Sequence, residues 1–596
     1  MSEAGQSSKR FPVQYFDGVN STVQPSLAKR TELSHMENAR SPKIGVLEKR
    51  EGQVVKGTLP AAAPFVATEN HGLVYFNNEQ ADNLGVFRIS KTGATLDMYY
   101  LHTNNEWTKL VDTEALALSS APFSFTNADK NLIIVNGTDE NRYLGADGTT
   151  VIDATQAGNL YNSPPANKTV YYKNRIHLAD FTRNAIRYPT TILRSSLPLG
   201  VISLVDGDHL AGVTELRVTD SKYFYSDAGV NSYEIYRGGT LIETVTVSAV
   251  NELTVTVGAT GNAINSSDEI WIAGTFAGDK QFRWVNNPTT TGRDVKQYDT
   301  FKLTGGDGSP ITLFETIGNV LMIGNGSNLA TWDDYNLTQL DLGIGCASSR
   351  GYTKLLGTLY FLDYSGIYGT TGGLPTLLSR KVERYISGAT KEGLEACTAG
   401  VKGLSTFFTI GDVTLYNPDG SVEIELSDVA LEYSVADQNW YVHTNVVFDD
   451  FINYKDANGD EQLWGTQTTA NLATAAFLEG NTDNGSEIFF RVDTQEIQLM
   501  KEFEIYAQPL NIHTEMDRGS QAAVFISLDR ERFYELEGNA EKGVSLLKVH
   551  KQGKDQQSPP HCRKVRLSYR DSSRQRCRLT QFAIDYLPTT KIEPHE

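Results

Sequence analysis

Cysteine is scarce and unpatterned: Cys346, Cys397, Cys562 and Cys577 are the only four in 596 residues, and no two form a C-x-x-C pair. Such spacing signals neither a disulfide framework nor a zinc site, so the thiols read as reduced and packed or incidental. Methionine is also rare, at 6, and no long Ala/Leu/Glu/Lys tract appears, which excludes a helical bundle. No run approaches the roughly 18 apolar residues of a membrane span. The first thirty residues lack the apolar core of a signal peptide, so the chain reads as maturing in a cytoplasm with no membrane segment of its own. The sequons at Asn20, Asn136 and Asn484 then read as turn residues.

Catalytic signatures are missing too. There is no G-x-x-x-x-G-K-[ST], H-E-x-x-H or G-x-S-x-G, and no G-x-G-x-x-G in a strand-to-helix setting. Asp456-Ala-Asn458-Gly-Asp460-Glu has the acidic spacing of a calcium loop, but its Gly comes one place early and no flanking helices are readable. An Asn458-Gly459 hairpin turn is expected instead. Glycosidases on propellers need two carboxylates facing each other. Here no acidic residue stands in a setting that singles it out, and the ten His are dispersed. The expectation is a protein that is not an enzyme, with no catalytic residue, cofactor or metal.

What is abundant is Tyr (28), Phe (25) and Gly (51), arranged in an apolar-turn-apolar cadence. It is clearest in FETIGNVLMIGNGSNLATWDD (314–334) and YTKLLGTLYFLDYSGIYGTTGGLP (352–375), which read as consecutive antiparallel hairpins. Related hairpins are read at 123–137, 170–180, 407–420 and 461–480. With Leu132, Arg175, Val320, Leu359 and Val413 as equivalent positions, the intervals are 43, 145, 39 and 54 residues. Three of these fall near the roughly 40–50 residues of a four-stranded propeller blade. A second echo is Tyr100…Trp107 and Tyr433…Trp440, each across a polar hairpin. The long interval leaves about 100 residues beyond one blade, and residues 196–290 supply them as another β-rich unit. The fold class expected is all-β: a β-propeller of six or seven blades with an inserted β domain, an N-terminal arm and a C-terminal β-sandwich-like domain.

Positive charge is short in the middle of the chain. Residues 1–56 carry 9 Lys/Arg against 6 Asp/Glu and residues 501–596 carry 16 against 14, leaving 28 against 52 between them, within a total of −19. A wall this acidic does not wrap DNA by neutralising phosphates, but it can surround DNA without holding it. Excess carboxylate also serves simply to keep a large β protein soluble.

The domain reading is an arm (1–57) docking on a neighbour or adaptor, propeller blades at 58–195 and 291–497, the insertion at 196–290, and a C-terminal β domain at 498–596. Residues 1–10 read as disordered. In the arm a short helix is expected at Ala28–Ala39, and Phe16, Leu27, Leu33, Met36, Ile44 and Leu47 are the expected anchors at a partner interface. In RKVRLSYR, Val565, Leu567 and Tyr569 are expected to face a core, with Lys564, Arg566, Ser568 and Arg570 outward. The hairpin read from Arg563 to Arg578, with Arg563, Lys564, Arg566, Arg570, Arg574, Arg576 and Arg578, is the candidate basic contact patch for DNA or an acidic partner.

The order of four segments resembles a family of tailed-bacteriophage virion proteins: the podovirus tail nozzle (tail tubular protein B) and related packaged-DNA stabilisation proteins. The segments are the arm FDGVNSTVQPSLAKRTELSHMENARSPKIGVLEKREG, the blade YDTFKLTGGDGSPITLFETIGNVLMIGNGSNLATWDD, the blade IGCASSRGYTKLLGTLYFLDYSGIYGTTGGLPTLLSRKVERYI, and the closing strands AVFISLDRERFY and FAIDYLPTT. The resemblance implies a hexameric ring in the virion tail, assembled in the host bacterial cytoplasm below the portal and adaptor proteins. It implies double-stranded DNA passing through a central channel without sequence recognition, tail fibres as further candidate partners, and release at genome ejection. The chain is compact for a nozzle, so a head-proximal DNA-stabilising plug is the alternative position. From other classes, the alternatives are a β-propeller enzyme acting on host surface glycans and a cellular propeller scaffold.

Overall fold

The computed structural model describes residues 9–589 apart from short stretches, the longest being 22–28, 58–68, 77–82, 111–117, 154–159, 285–299, 467–473, 500–505 and 550–561. Statements of absence below refer to the described residues. Expectations at residues 1–8, Leu27, Ile44, Asn458, Arg576 and the end of the insertion near 290 lie outside them. The chain forms two compact units, one of residues 57–346 with 469–471, the other of 1–56, 347–468 and 472–596.

The fold is all-β and of β-propeller type, with seven four-stranded antiparallel sheets among the described residues. Four belong to the first unit, at 69–109, 124–153, 166–302 and 313–340; three belong to the second, at 352–377, 399–443 and 450–477. Local chemistry explains their hairpins. Two-residue turns between right-twisted strands need positive φ, and the first turns of these sheets have it at Asp129 (55°), Lys173 (45°), Asn174 (58°), Gly318 (53°), Leu356 (51°), Gly357 (75°) and Gly403 (58°). The Tyr–Trp echo falls on the third-to-fourth connection of two sheets. Tyr433 lies opposite Trp440, whereas Trp107 lies opposite Leu101, so the registers differ by one residue.

The hairpin expected at 407–420 is instead one continuous strand, Ser405–Tyr416, paired with Val422–Ser434. Gly411 (φ 72°) makes a register shift there rather than a turn, and the chain reverses between Tyr416 and Val422. The counterpart of Leu132 and Leu359, each second in its strand, is therefore Thr406 and not Val413.

The third sheet is interrupted between its last two strands. Ile186–Arg194 pairs with Thr300–Lys302, and a separate six-stranded sheet lies between them in sequence, ordered Val201–Leu204, Glu269–Ile272, Ser232–Arg237, Thr240–Asn251, Thr254–Val257, Glu215–Arg217. It has its own core of Leu216, Val218, Tyr233, Ile235, Val247 and Ile270.

The C-terminal part forms two six-stranded sheets, and the N-terminal arm contributes strands to both. Lys9–Gln14 and Leu47–Lys49 pair with the last strand, Arg578–Thr589, and Ala39–Arg40 pairs with Leu47–Lys49. Leu33–Glu37 pairs with Phe490–Thr494 in the other sheet, so this stretch is a strand and not the expected helix. Its alternating contacts with a partner strand outweigh a weak helical pattern. Gln53–Val55 then supplies the fourth strand of the sheet at 450–477, opposite Ala475–Phe477.

Candidate functional site

The arm carries the densest set of buried charges in its unit. Arg40 donates from Nε and Nη2 to both oxygens of Glu432, at 2.8 and 2.7 Å, and His443 Nε2 lies 2.8 Å from Glu432 Oε2. Glu432 and His443 are 1% and 0% exposed. Burial by itself raises the Glu432 pKa, but Arg40 and His443 outweigh it and hold the carboxyl at about 2. Burial pushes His443 down, only partly offset by Glu432.

Ten residues along, Arg50 donates to Asn38 Oδ1 (2.7 Å), to the Thr444 carbonyl (3.1 Å) and to both oxygens of Asp483 (2.8 and 2.5 Å). Lys49 Nζ donates to Asp571 Oδ2 at 2.9 Å and to the Ser573 carbonyl. His35 sits between the Tyr385 hydroxyl and Glu37, 2.9 Å from each. A register shift between Leu33 and His35 produces this pattern, bringing both Leu33 and Met36 into the core three residues apart, where strict alternation would set them on opposite faces. The Tyr–His–Glu and Arg–Glu–His constellations have the residue types of acid–base chemistry. Glu432, His443, His35 and Glu37 are buried and Arg40 is part-buried, and the charged groups are paired, so these contacts tie the arm to the strands it packs against.

The expected partner anchors are part of this same arrangement. Phe16, Leu33, Met36 and Leu47 are buried in the core of their own unit, so none of the four is presented to a neighbour or adaptor. A patch of apolar residues in sequence becomes an intramolecular contact because residues 9–55 find strand partners more than 400 positions away.

The basic patch is likewise divided. Lys564–Asp571 and Arg578–Thr589 are in different sheets, so they do not form a hairpin. Val565, Leu567 and Tyr569 face the core as alternation requires, but Ser568 is also buried, opposite Asp493. Lys564 pairs with Glu496 at 2.7 Å, Arg578 with Glu48 at 2.7 Å and Arg574 with Glu487 at 3.7 Å. Arg566 lies over Phe533 and Arg570 over Phe525, while Arg563 is exposed. Lys564, Arg566 and Arg570 share one face of their strand, while Arg578 lies in the other sheet.

The turn at Asp456 is a hairpin between Asp450–Lys455 and Glu461–Thr466, with Gly459 at φ 84° and the Asp460 amide donating to Asp456 Oδ1 at 2.9 Å. No group of three metal-ligating side chains is assembled among the described residues. All four thiols are free and buried, and burial first, with nearby carboxylates, pushes Cys562 and Cys577 up to about 12. No helix is long and apolar enough to cross a membrane. Sequence reading missed the arm's polar residues, His35, Arg40, Lys49 and Arg50. Their one signal was charge placed between apolar anchors in a stretch that otherwise reads as strand-forming.

No family model matches this chain, and no curated protein matches it. Among solved structures, it is similar to the computationally designed Ika8 protein, with a TM-score of 0.29 and 9% identity over 72% of this chain and 99% of that one. It is also similar to YCF48 bound to D1 peptide, with a TM-score of 0.30 and 8% identity over 71% and 97%. Likeness at this level carries no argument about function, and the all-β propeller-type architecture rests on the strand pairing itself.

Proposed function

We propose that the chain is a structural protein of a bacteriophage tail, one subunit of a hexameric ring around the DNA exit channel that retains packaged DNA and opens for ejection. The observation that carries this reading is the way the arm is woven in: residues 9–55 enter both C-terminal sheets and the sheet at 450–477, and buried or part-buried ion pairs fasten them at Arg40, Lys49 and Arg50. A subunit that bears the pressure of confined DNA needs its ends tied so that no strand peels under load. The acidic middle of the chain, 28 Lys/Arg against 52 Asp/Glu, supports a conduit that repels phosphates. The clusters nearest to catalytic ones lie inside the fold, which favours a structural role over turnover. With the arm engaged in its own unit, contacts to adaptor, portal or neighbouring copies fall to other surfaces.

Imaging purified particles by electron cryo-microscopy, with the C-terminus labelled, tests the reading. Six-fold density at the distal tail tip supports it. Density directly beneath the portal assigns the head-proximal plug instead, and absence from particles removes both.

A further inference from the structure

The inserted sheet has its core on one face only. Ile270 and Ile272 enter that core, so Trp271, between them, stands on the opposite face. There it meets two more rings. Tyr236 and Phe276 are stacked, with centroids 4.0 Å apart and planes at 8°, and Phe276 meets Trp271 edge-on at 4.9 Å and 70°. Phe276 remains 40% exposed. Two glycines clear the space. A Cβ at Gly200 would lie 2.3 Å from the Trp271 ring, and Gly239, at φ 81°, brings its turn to the edge of Phe276.

Two carboxylates border the rings. Trp271 Nε1 donates to Glu269 Oε2 at 3.0 Å and the Tyr236 hydroxyl donates to Glu234 Oε2 at 3.1 Å. Neither carboxylate has a cationic partner, because Arg237, the nearby cation, is taken by Asp268 at 2.8 and 2.7 Å. A ring trio that only covered the turn would be matched by aliphatic side chains and leaves the carboxylates without a purpose.

We propose that this face of the inserted domain binds a neutral saccharide, a pyranose laying its C–H face on the Phe276 ring, on the side away from Tyr236, with its edge against the upright Trp271 ring, while its hydroxyls donate to Glu234 and Glu269. An apolar corner of two rings set nearly at right angles and bordered by fixed acceptors complements a sugar, which offers an apolar face ringed with donors. The uncompensated carboxylates repel nucleic acid, phosphate and acidic glycans. Rings held by glycine clearance and by hydrogen bonds lose little freedom on binding. The inference is independent of the chain's place in a tail.

The test is saturation-transfer NMR of the full-length protein with four neutral hexasaccharides: maltohexaose, cellohexaose, laminarihexaose and chitohexaose. Heparin and a lysine-rich peptide serve as charged controls. The expected result is saturation of pyranose C–H protons of at least one neutral hexasaccharide. Phe276→Ala and Trp271→Ala each weaken binding about tenfold, the effect of losing one contacting ring, and Glu234→Gln weakens it severalfold without a shift in melting temperature. Phe276, being exposed, keeps the test valid where Trp271→Ala disturbs the fold. Absence of binding to all four, binding unchanged in Phe276→Ala, or binding to the charged controls alone overturns the proposal.

Discussion

Two buried side chains give the protein two distinct acid responses. His177 is 0% exposed, and burial first, then the nearby Arg194 and Arg175, lowers it from 6.5 to about 3. Unfolded, the imidazole takes up a proton below pH 6.5 while the folded one does not, so stability is lost as pH falls from 6.5 toward 3, by up to about 5 kcal/mol at roughly 1.4 kcal/mol per pH unit. In His177→Gln the pH dependence of urea midpoints should flatten over that window. Glu432 also loses stability on acidification, but lower: its contribution is present above 4.5 and lost as pH falls toward 2. Glu432→Ala, which strands Arg40 and His443, is expected to cost about 3–5 kcal/mol at pH 7 by urea denaturation. At the other extreme, Leu356 is 71% exposed and held at φ 51° in a hairpin turn. Leu356→Asn is expected to raise stability by about 0.5–1 kcal/mol in the same measurement, because asparagine tolerates the left-handed region better. Sequence alone does not mark His177 or Glu432, whose burial depends on packing, whereas the φ of Leu356 belongs to the local turn between Leu355 and Thr358.

At the scale of elements, what was legible depended on whether a strand's partner was close by. The hairpins at 123–137, 314–334 and 352–375 could be read because each run pairs with the next. The break in the third sheet showed as a long interval. The arm strands could not be paired, because Leu33–Glu37 and Gln53–Val55 find their neighbours more than 400 residues on. Gly411-Asp412 resembled a turn and proved a register shift, a difference decided by pairing with Val422–Ser434 rather than by composition. The platform at Trp271 was invisible for a related reason: Glu234 and Trp271 become neighbours only through the register of two strands. Where the arm enters the sheet at 450–477, Gly52 is the narrowest point, and a Cβ there would lie 2.0 Å from the Thr482 carbonyl oxygen. That neighbour is backbone and cannot rotate away. Gly52→Ala should therefore cost at least about 2 kcal/mol, and hydrogen exchange should quicken first in Gln53–Val55 and Ala475–Phe477, the strands the glycine aligns.

For the whole molecule, the first and last parts of the sequence build one structure. Removing residues 1–56 takes four strands from the two C-terminal sheets and the fourth strand from the sheet at 450–477. It also strips Glu432, Asp483 and Asp571 of Arg40, Arg50 and Lys49, leaving three carboxylates with side chains 1%, 13% and 2% exposed in the intact chain. A carboxylate that stays buried without its cation costs about 3–5 kcal/mol, a large share of the roughly 5–15 kcal/mol by which a domain is stable at all, and one that opens to water does so by loosening the strands around it. A chain of residues 57–596 should consequently lose hydrogen-exchange protection in Lys564–Asp571 and Arg578–Thr589, although neither segment was cut. Supplying residues 9–56 as a separate peptide should restore that protection by strand addition, and the Arg40→Ala, Arg50→Ala form of the peptide should restore far less. If the truncated chain keeps its protection unaided, the arm is an accessory to a finished fold and the closure argument fails. If the wild-type peptide alone restores it, the strands and the ion pairs together are what join the two ends of the chain.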